Sequence, residues 1–429
     1  MGLIRAPAPA RPRIRPGSAA FSALLGLLAA LPTFGIDMIL PSLSDTATAL
    51  HVPATAMGAA MGVYLLGFGG ALLVYGPVSD RLGRKPAIVC GCLLLVVGSL
   101  GCGAARTLPD FLLFRALQGI GAAGPGMAVL AMVRDLFEGE TARARMSFVV
   151  LTINVVPMVA PTVGAGLMDL GGWRLIHAAP VAAALAALVA IRHIDEPLQR
   201  AAGPGPASGI LHGYGRILAS RVFLGHALCN AAAAGAVFAY ITGSALVFID
   251  AIGLSPLAYG LVFGASSLSV MVGAFLNGRL AARGVPPPRV IAAGLVLATG
   301  AASLLLVAAL ARPPAALPVV AAMVGVALAF GLVSPNAVHG ATERDPAAAG
   351  AASAVAVFLQ MLAAAVASDL VARFFDGRSA LSMAAVMLGC SLAAAAAHAG
   401  LARPAPRAPS RPYGEPACSS IRPPGSPST

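Results

Sequence analysis

The sequence predicts an all-α membrane protein whose twelve transmembrane helices form two halves of six. Three observations support this prediction: the composition, the recurrence of apolar stretches long enough to cross a bilayer, and the placement of the basic residues. Of the 429 residues, 58% are hydrophobic and only 10% are charged. A soluble domain carries about 25% charged residues, and its large surface cannot hide so many apolar side chains. Lipid is therefore the solvent that this chain requires.

The apolar stretches set the order of the predicted helices. A hydrocarbon core of about 30 Å requires about 20 helical residues. Stretches of this length lie at 21–41, 55–77, 86–105, 108–133, 146–168 and 174–192, and then at 222–248, 255–277, 289–311, 316–338, 350–371 and 379–401. The predicted units are a basic cytoplasmic N-terminal arm (1–20), an N-terminal six-helix half (21–192), a cytoplasmic central linker (193–221), a C-terminal six-helix half (222–401) and a disordered cytoplasmic tail (402–429).

The basic residues test this division independently, because cytoplasmic loops of membrane proteins carry an excess of Lys and Arg. If the N-terminus lies in the cytoplasm, most of the 28 basic residues fall on the cytoplasmic side, and both termini are cytoplasmic. The net charge of +12 is scattered singly between apolar runs, so we expect no nucleic-acid partner. The six cysteines have no zinc-site spacing, and we expect neither a metal nor any other cofactor.

The most specific string in the chain joins spans 2 and 3 and reads GPVSDRLGRKP over residues 76–86. Its charged members are Asp80, Arg81, Arg84 and Lys85. We expect Gly76 and Gly83 to allow a tight reversal and the acid to accept charge-assisted hydrogen bonds from the cations. A solvated, positively charged loop would also account for this composition. The string nevertheless resembles the signature G-x-L-[SA]-D-R-x-G-R-[KR] of the major facilitator superfamily nearly residue for residue.

Other segments resemble one branch of that superfamily, the Bcr/CflA drug-resistance exporters. The matching strings are IDMILP at 36–41, RALQGIG at 115–121, APTVG at 160–164 and GWRLI at 172–176. They are similar to the family's end of span 1, its R-x-x-Q-G-x-G motif in span 4, and its elements around span 5. This chain departs from the family pattern at Ile39, where the family has Tyr, and at His177, where it has Phe. Both departures put the substrate spectrum in doubt.

The resemblance implies a multi-pass transporter of the bacterial inner membrane with the major facilitator fold. Its partners would be protons, a small-molecule substrate and the lipid bilayer, and we expect a monomer. The family would work by alternating access, with the 76–86 segment latching the two halves together on the cytoplasmic side. In the family, the arginine at the position of Arg115 helps to relay protons and supports the binding cavity.

Asp37 is the principal candidate for coupling protons to the substrate. An acid within a span costs roughly 2.5–3.5 kcal/mol on insertion scales, and such residues usually face a cavity or a partner. Pro32, Gly35 and Pro41 flank Asp37 and are expected to loosen the helix. The alternative is that the residue lies near the outer interface and is merely hydrated.

Three further polar residues are candidates within the spans. Arg115 lies about seven residues inside span 4 and stays charged, so it needs a partner or a water-filled cavity unless it snorkels to the interface. Gln118, in the same motif, is a secondary candidate. Asp369 is another secondary candidate, although its position near the outer end of span 11 favours exposure at the interface.

Glycine and proline patterns predict close helix packing. The string GIGAAG at 119–124 fits the dinucleotide-binding pattern, but it lies in an apolar helix without the required strand. Close approach of helices explains it better. Pro157, Pro161 and Gly164 predict a kinked, closely packed face of span 5. The sequence has no Walker A string, which excludes ATP-driven pumping.

These observations predict a secondary active transporter and not an enzyme. The expected function is proton-coupled export of small lipophilic compounds, neutral or monocationic. A proton-coupled carrier for one metabolite, such as a sugar or an organic acid, is the first alternative, and it would carry more charges in the second half. A membrane-embedded enzyme or receptor is the second, and it would need clustered catalytic side chains or a sizeable soluble domain. Span 7 is apolar apart from His226, which favours lipophilic cargo.

Overall fold

The computed structural model describes residues 14–197, 215–310, 315–342 and 349–402. The membrane helices, in chain order, are α1 (Ala19–Asp37), α2 (Met57–Leu82), α3 (Arg84–Ala104), α4 (Leu108–Leu136), α5 (Gly139–Ile176, interrupted as described below), α6 (Ala178–Ile191), α7 (Arg221–Ala245), α8 (Pro256–Ala282), α9 (Pro287–Leu310), α10 (Ala316–Thr342), α11 (Ala349–Arg373) and α12 (Leu381–Gly400). The predicted tail from 403 onwards, residues 1–13 of the predicted arm and residues 198–214 of the predicted linker lie outside the described residues.

Several of these helices begin at a Ser or Thr whose side chain satisfies an unpaired backbone N–H group. Ser18 accepts from Phe21 N at 3.2 Å at the start of α1. Thr107, Ser220 and Ser255 cap α4, α7 and α8 in the same way. Such caps are the main local signal that starts a helix, because the first turn has no intrahelical acceptors for its N–H groups. The predicted starts agree with the observed starts of these helices to within two residues.

Eleven helices in the described part of the chain are long and apolar enough to cross a membrane, and Ala178–Ile191 is shorter. The sixth span is nevertheless longer than this helix. Backbone angles leave the helical range at Gly171 and Gly172, so the preceding helix ends there, and the helical angles of His177 join residues 173–176 to α6. Arg174 Nη2 donates to Ala105 O at 3.3 Å beyond one end of α3, and Lys85 Nζ donates to Ile194 O at 2.7 Å at the other. Residues 174–194 therefore run the full length of α3, which confirms twelve spans.

One predicted detail is wrong. The segment 76–86 is not a loop, because α2 continues through Gly76 and Pro77 to Leu82, and only Gly83 breaks the helix. Gly83 has φ 107° and ψ 164°, a conformation that a residue with a Cβ rarely adopts. Several other helices also extend beyond their apolar stretch, α5 beginning at Gly139 and α8 ending at Ala282. A helix continues as long as its backbone groups are satisfied, whether or not its side chains are apolar.

The N-terminal and C-terminal halves meet along two seams, α2 against α11 and α5 against α8. Glycines allow this close approach. Gly58 of α2 faces Ala372 and the Ser368 carbonyl of α11, and Gly264 of α8 faces the carbonyl group of Met158 in α5. We call the membrane side that carries Arg84 and Lys85 the basic side, and the other the opposite side.

The two halves are closed on the opposite side and open along one seam on the basic side. After α1, the segment around Ile39 and Leu43 packs with Phe248 and Tyr259 of the other half in one buried apolar cluster. On the basic side, the exposed residues of α5 surround most of the helix: Phe148, Val150, Leu151, Ile153 and Val155. A helix covered by its neighbour would expose a single face to lipid. The α5–α8 seam therefore opens toward the basic side.

Candidate functional site

Arg115 is buried completely in the N-terminal half, with 0% of its surface exposed. Its guanidinium group donates from Nε to Ala60 O at 3.2 Å, and from Nη1 to Gly35 O and to Gln118 Oε1, both at 2.7 Å. The guanidinium carbon also lies 4.5 Å from the centre of the Tyr64 ring. Among the described residues, no carboxylate forms an ion pair with Arg115. Because Arg115 is fully buried, it does not snorkel to the membrane interface.

The end of α1 explains how a buried cation is tolerated without an acid. The last four carbonyl groups of a helix have no intrahelical donor, and the helix dipole places partial negative charge there. Gly35 O belongs to this last turn, since α1 ends at Asp37. Arg115 therefore caps the C-terminus of α1 with a hydrogen bond from a full positive charge. The face of the Tyr64 ring adds a cation–π contact.

Gln118 orients Arg115 and ties it to a third helix. Its Oε1 accepts from Arg115, while its Nε2 donates to Ser99 Oγ of α3 at 2.9 Å. The close packing of α4 on its neighbours also holds this group. A Cβ at Gly119 would overlap the Tyr64 carbonyl group, and one at Gly121 would overlap Leu95 N. The glycine string at 119–124 therefore serves helix packing.

Asp37 is the last residue of α1 and is 5% exposed. Within the described part of the chain, no hydrogen bond or ion pair reaches its carboxylate. The phenol groups of Tyr64, Tyr240 and Tyr259 lie within electrostatic range. A carboxylate at a helix C-terminus faces partial negative charge, and burial disfavours its charged form. A buried carboxyl group in these surroundings is the candidate for proton exchange.

The 76–86 segment is organised around Arg84. The Arg84 side chain donates from Nε to Asp135 Oδ2 at 2.7 Å, and from Nη1 to Asp80 Oδ1 at 2.5 Å and Ser79 Oγ at 2.9 Å. It thereby joins α2, α3 and the end of α4. Sequence reasoning predicted that Asp80 would accept bonds from a cation of this motif. The second acid, Asp135, lies 51 residues farther along the chain than Arg84.

Glu196 is the acid that sequence reasoning missed. Its carboxylate accepts from Arg84 N at 2.6 Å and from Lys85 N at 3.1 Å, so it caps the N-terminus of α3. The described hydrogen bonds of Asp80, Arg84 and Lys85 reach the N-terminal half and the first residues of the predicted linker, Ile194 and Glu196. Arg81 is exposed in the last turn of α2. The predicted role of the segment as a latch between halves stays a prediction.

The remaining candidates have distinct locations. Pro157 and Pro161 lie in a stretch of α5 with helical backbone angles, and the kink predicted for this face stays a prediction. Gly164 faces the carbonyl group of Met38, the residue after Asp37, so closely that a Cβ would overlap it.

Asp369 is 36% exposed and pairs with Arg373 at 3.6 Å. It therefore lies at the rim of α11, far less buried than Asp37.

Comparisons with known proteins agree with this architecture. The profile of the Major Facilitator Superfamily matches residues 25–368. The chain is 29% identical over 390 residues to "Uncharacterized MFS-type transporter YdgK" of Bacillus subtilis, covering 90% of this chain and 96% of that protein. It is 27% identical over 357 residues to "Bicyclomycin resistance protein homolog" of Haemophilus influenzae, covering 82% and 88%.

A solved structure shows the same fold at low sequence identity. It is the inward-facing, unoccupied form of a bacterial homolog of the human lysosomal transporter Spinster. The two structures align with a TM-score of 0.69 at 16% identity, over 89% of this chain and 96% of the other. With its two six-helix halves and a superfamily profile that matches most of its length, the chain belongs to the major facilitator superfamily of membrane transporters.

Proposed function

We propose that this protein is a proton-coupled antiporter that exports small lipophilic compounds, neutral or monocationic, across the bacterial inner membrane. The observation that carries the proposal is the buried carboxyl group of Asp37, at the end of a helix whose C-terminus is capped by the buried Arg115. The resistance-protein relative named above supports drugs as the cargo. The excess of basic residues in the predicted cytoplasmic segments supports a cytoplasmic location for the basic side and for both termini.

In the proposed cycle, the substrate enters through the α5–α8 seam, which is open on the basic side. Asp37 is protonated in this conformation and releases its proton when the substrate binds. Opening of the opposite side then lets the substrate leave, and a proton from outside returns Asp37 to its neutral form. Ionised Asp37 would be attracted by Arg115, so proton release changes the forces between the end of α1 and α4.

The proton gradient is sufficient for this export. A membrane potential of about 100 mV contributes about 2.3 kcal/mol per charge, and one pH unit contributes about 1.4 kcal/mol. Exchange of one proton for a neutral solute uses both, which supports a gradient of about 500-fold. Exchange for a monovalent cation moves no net charge, so only the pH difference drives it, and the gradient is about tenfold.

The decisive experiment uses everted membrane vesicles energised by a proton gradient, with a fluorescent dye reporting lumenal pH. Bicyclomycin, chloramphenicol and a set of lipophilic cations are added in turn to vesicles containing wild type or Asp37→Asn. We expect substrate-dependent proton release in the wild type and none in the variant. Asn keeps the size of the side chain but cannot exchange a proton.

Asp369→Asn is the matched control, because it makes the same chemical change at the rim of α11. It should retain proton release. Release that persists in Asp37→Asn would place the proton site elsewhere. If correctly inserted wild-type protein releases no protons with any of the compounds, the result would contradict drug export and favour a carrier for one metabolite.

Opening of the opposite side must break a side-chain hydrogen bond that joins the two halves. Ser44 Oγ lies 2.7 Å from both carboxylate oxygens of Asp250, which belongs to the π-helical turn Leu246–Ala251 at the end of α7. We expect a Ser44→Cys/Asp250→Cys variant, in a background free of other cysteines, to lose transport when a short bifunctional methanethiosulfonate joins the two thiols.

Reduction of that link should restore transport. The two single cysteine variants, treated with the same reagent, should stay active. Full activity of the cross-linked protein would mean that the opposite side does not open in the cycle.

A further inference from the structure

Tyr64 of α2 holds the last turns of α1 next to Arg115. The Tyr64 side chain is fully buried, and its hydroxyl donates to Pro32 O at 2.7 Å. The Tyr64 ring covers Gly35 so closely that a Cβ on that residue would overlap the ring. The same ring lies under the Arg115 guanidinium group, at 4.5 Å. One side chain thus touches α1 at two points before Asp37 and supports the cation that caps α1.

The backbone of Tyr64 is fixed as firmly as its side chain. Gly119 of α4 packs directly against the Tyr64 carbonyl group, so α2 and α4 are already in backbone contact at this level. The ring therefore projects from a closely packed pair of helices. Movement of the end of α1 must instead be accommodated by the hydrogen bond to Pro32 O and the contact with Gly35.

We propose that Tyr64 is a positioning residue for proton exchange at Asp37, because its hydroxyl and ring set where the last turn of α1 holds the carboxyl group relative to Arg115. The proposal rests on the proposed function of Asp37. Tyr64 itself exchanges no proton. It keeps the carboxyl group in the buried, protonated position until the substrate arrives.

Other charged or titratable groups around Asp37 also influence its proton exchange. Arg115 approaches from α4, and the phenol groups of Tyr240 and Tyr259 approach from α7 and α8. His177, which adjoins α6, lies in electrostatic range of Arg115. From α5, Gly164 faces the Met38 carbonyl group and Ala160 belongs to the same apolar cluster as Met38, and neither residue is titratable. Tyr64 differs from these groups because it hydrogen-bonds to α1 without carrying a charge.

The test measures substrate-dependent proton release as a function of pH in everted vesicles containing the full-length Tyr64→Phe variant. We expect the pH midpoint of release to move to lower pH by about half to one unit, as loss of one hydrogen bond would predict. Without the bond to Pro32 O, the last turn of α1 relaxes and water reaches the carboxyl group, so protonation requires more acid. Tyr75→Phe is the control, because Tyr75 lies in the same helix and, within the described residues, its hydroxyl hydrogen-bonds to Cys90 Sγ, at 4.0 Å, and not to α1.

Each outcome decides between a positioning role and a merely structural one. A structural role would lower the amount of active protein and the rate equally at every pH, and such a result overturns the proposal. Gly35→Ala provides a second route if Tyr64→Phe does not fold, since the added methyl group displaces the same ring, and it should shift the midpoint in the same direction. If Asp37→Asn still releases protons, the proton site is not Asp37, and the positioning role fails together with that assignment. If that variant is silent but Tyr64→Phe matches wild type, only the positioning role fails.

Discussion

Replacement of Arg115 by Met is expected to abolish transport while leaving the protein folded. The buried charge carries a large desolvation cost, and Met removes this cost together with the hydrogen bonds to Gly35 O and Ala60 O. These two changes oppose each other, so the free energy of unfolding should change little. Transport should fall about a hundredfold or more, the size of the loss seen when one preorganised donor is removed from an enzyme active site. The measurements are proton release in everted vesicles and thermal unfolding of the purified protein.

Two further arginine variants sharpen this prediction. Arg115→Lys keeps the charge but lacks the planar fork that reaches Gly35 O, Ala60 O and Gln118 at once, so it should not restore transport. Arg174→Met is the matched control, since Arg174 also contacts a carbonyl group and an aromatic ring but is exposed on the opposite side. It should transport as wild type does. An active Arg115→Met would show that coupling does not need the cap on α1.

Gly164→Ala should destabilise the protein and reduce transport. The new methyl group would overlap the carbonyl oxygen of Met38, and the carbon atoms of the same backbone lie 3.0–3.1 Å away. Backbone atoms cannot rotate aside, so α5 and the end of α1 must separate. Overpacking of this kind costs typically about 1–3 kcal/mol. Because Met38 follows Asp37, the displacement should also move the carboxyl group.

Gly166→Ala is the control for this variant, because nothing lies within 4 Å of a Cβ at Gly166 in the same helix. Alanine is a better helix former than glycine by about 1 kcal/mol, so Gly166→Ala should be at least as stable as wild type. Thermal unfolding in detergent, monitored by size-exclusion chromatography, compares the two. Equal stability of the two alanine variants would mean that α1 and α5 do not pack as described.

The architecture was predictable because it depends on properties that are local in the chain. Each span needs about 20 apolar residues to cross the hydrocarbon core, and the basic residues at alternate ends indicate the direction of each helix. Caps at Ser18, Thr107 and Ser255 mark helix starts within a few residues. Gly76 and Pro77 predicted a loop, but α2 continues through both residues to Leu82, and Gly83 ends it.

From the sequence, the candidate site was predictable only as a set of charged residues whose insertion into lipid costs free energy. Asp37 and Arg115 are conspicuous in the sequence because charge within a span is expensive in lipid. Their surroundings were not predictable. Glu196 reaches the start of α3 across 112 residues, and Gly35 O lies 80 residues from Arg115. Nothing local marks such partners, since a backbone carbonyl group has no signature in the sequence.

By itself, the sequence determined that the chain lies in lipid, how many spans cross the membrane and which side carries the positive charge. Each of these follows from the free energy of transferring side chains and backbone from water to lipid. The tertiary structure decided how the buried charges are compensated. Arg115 is stabilised by the end of α1 and the Tyr64 ring, and Asp37 is left without a hydrogen-bonding partner in the described part of the chain. The physical reason is that compensation depends on distances of a few ångströms between helices far apart in sequence, and only their packing sets those distances.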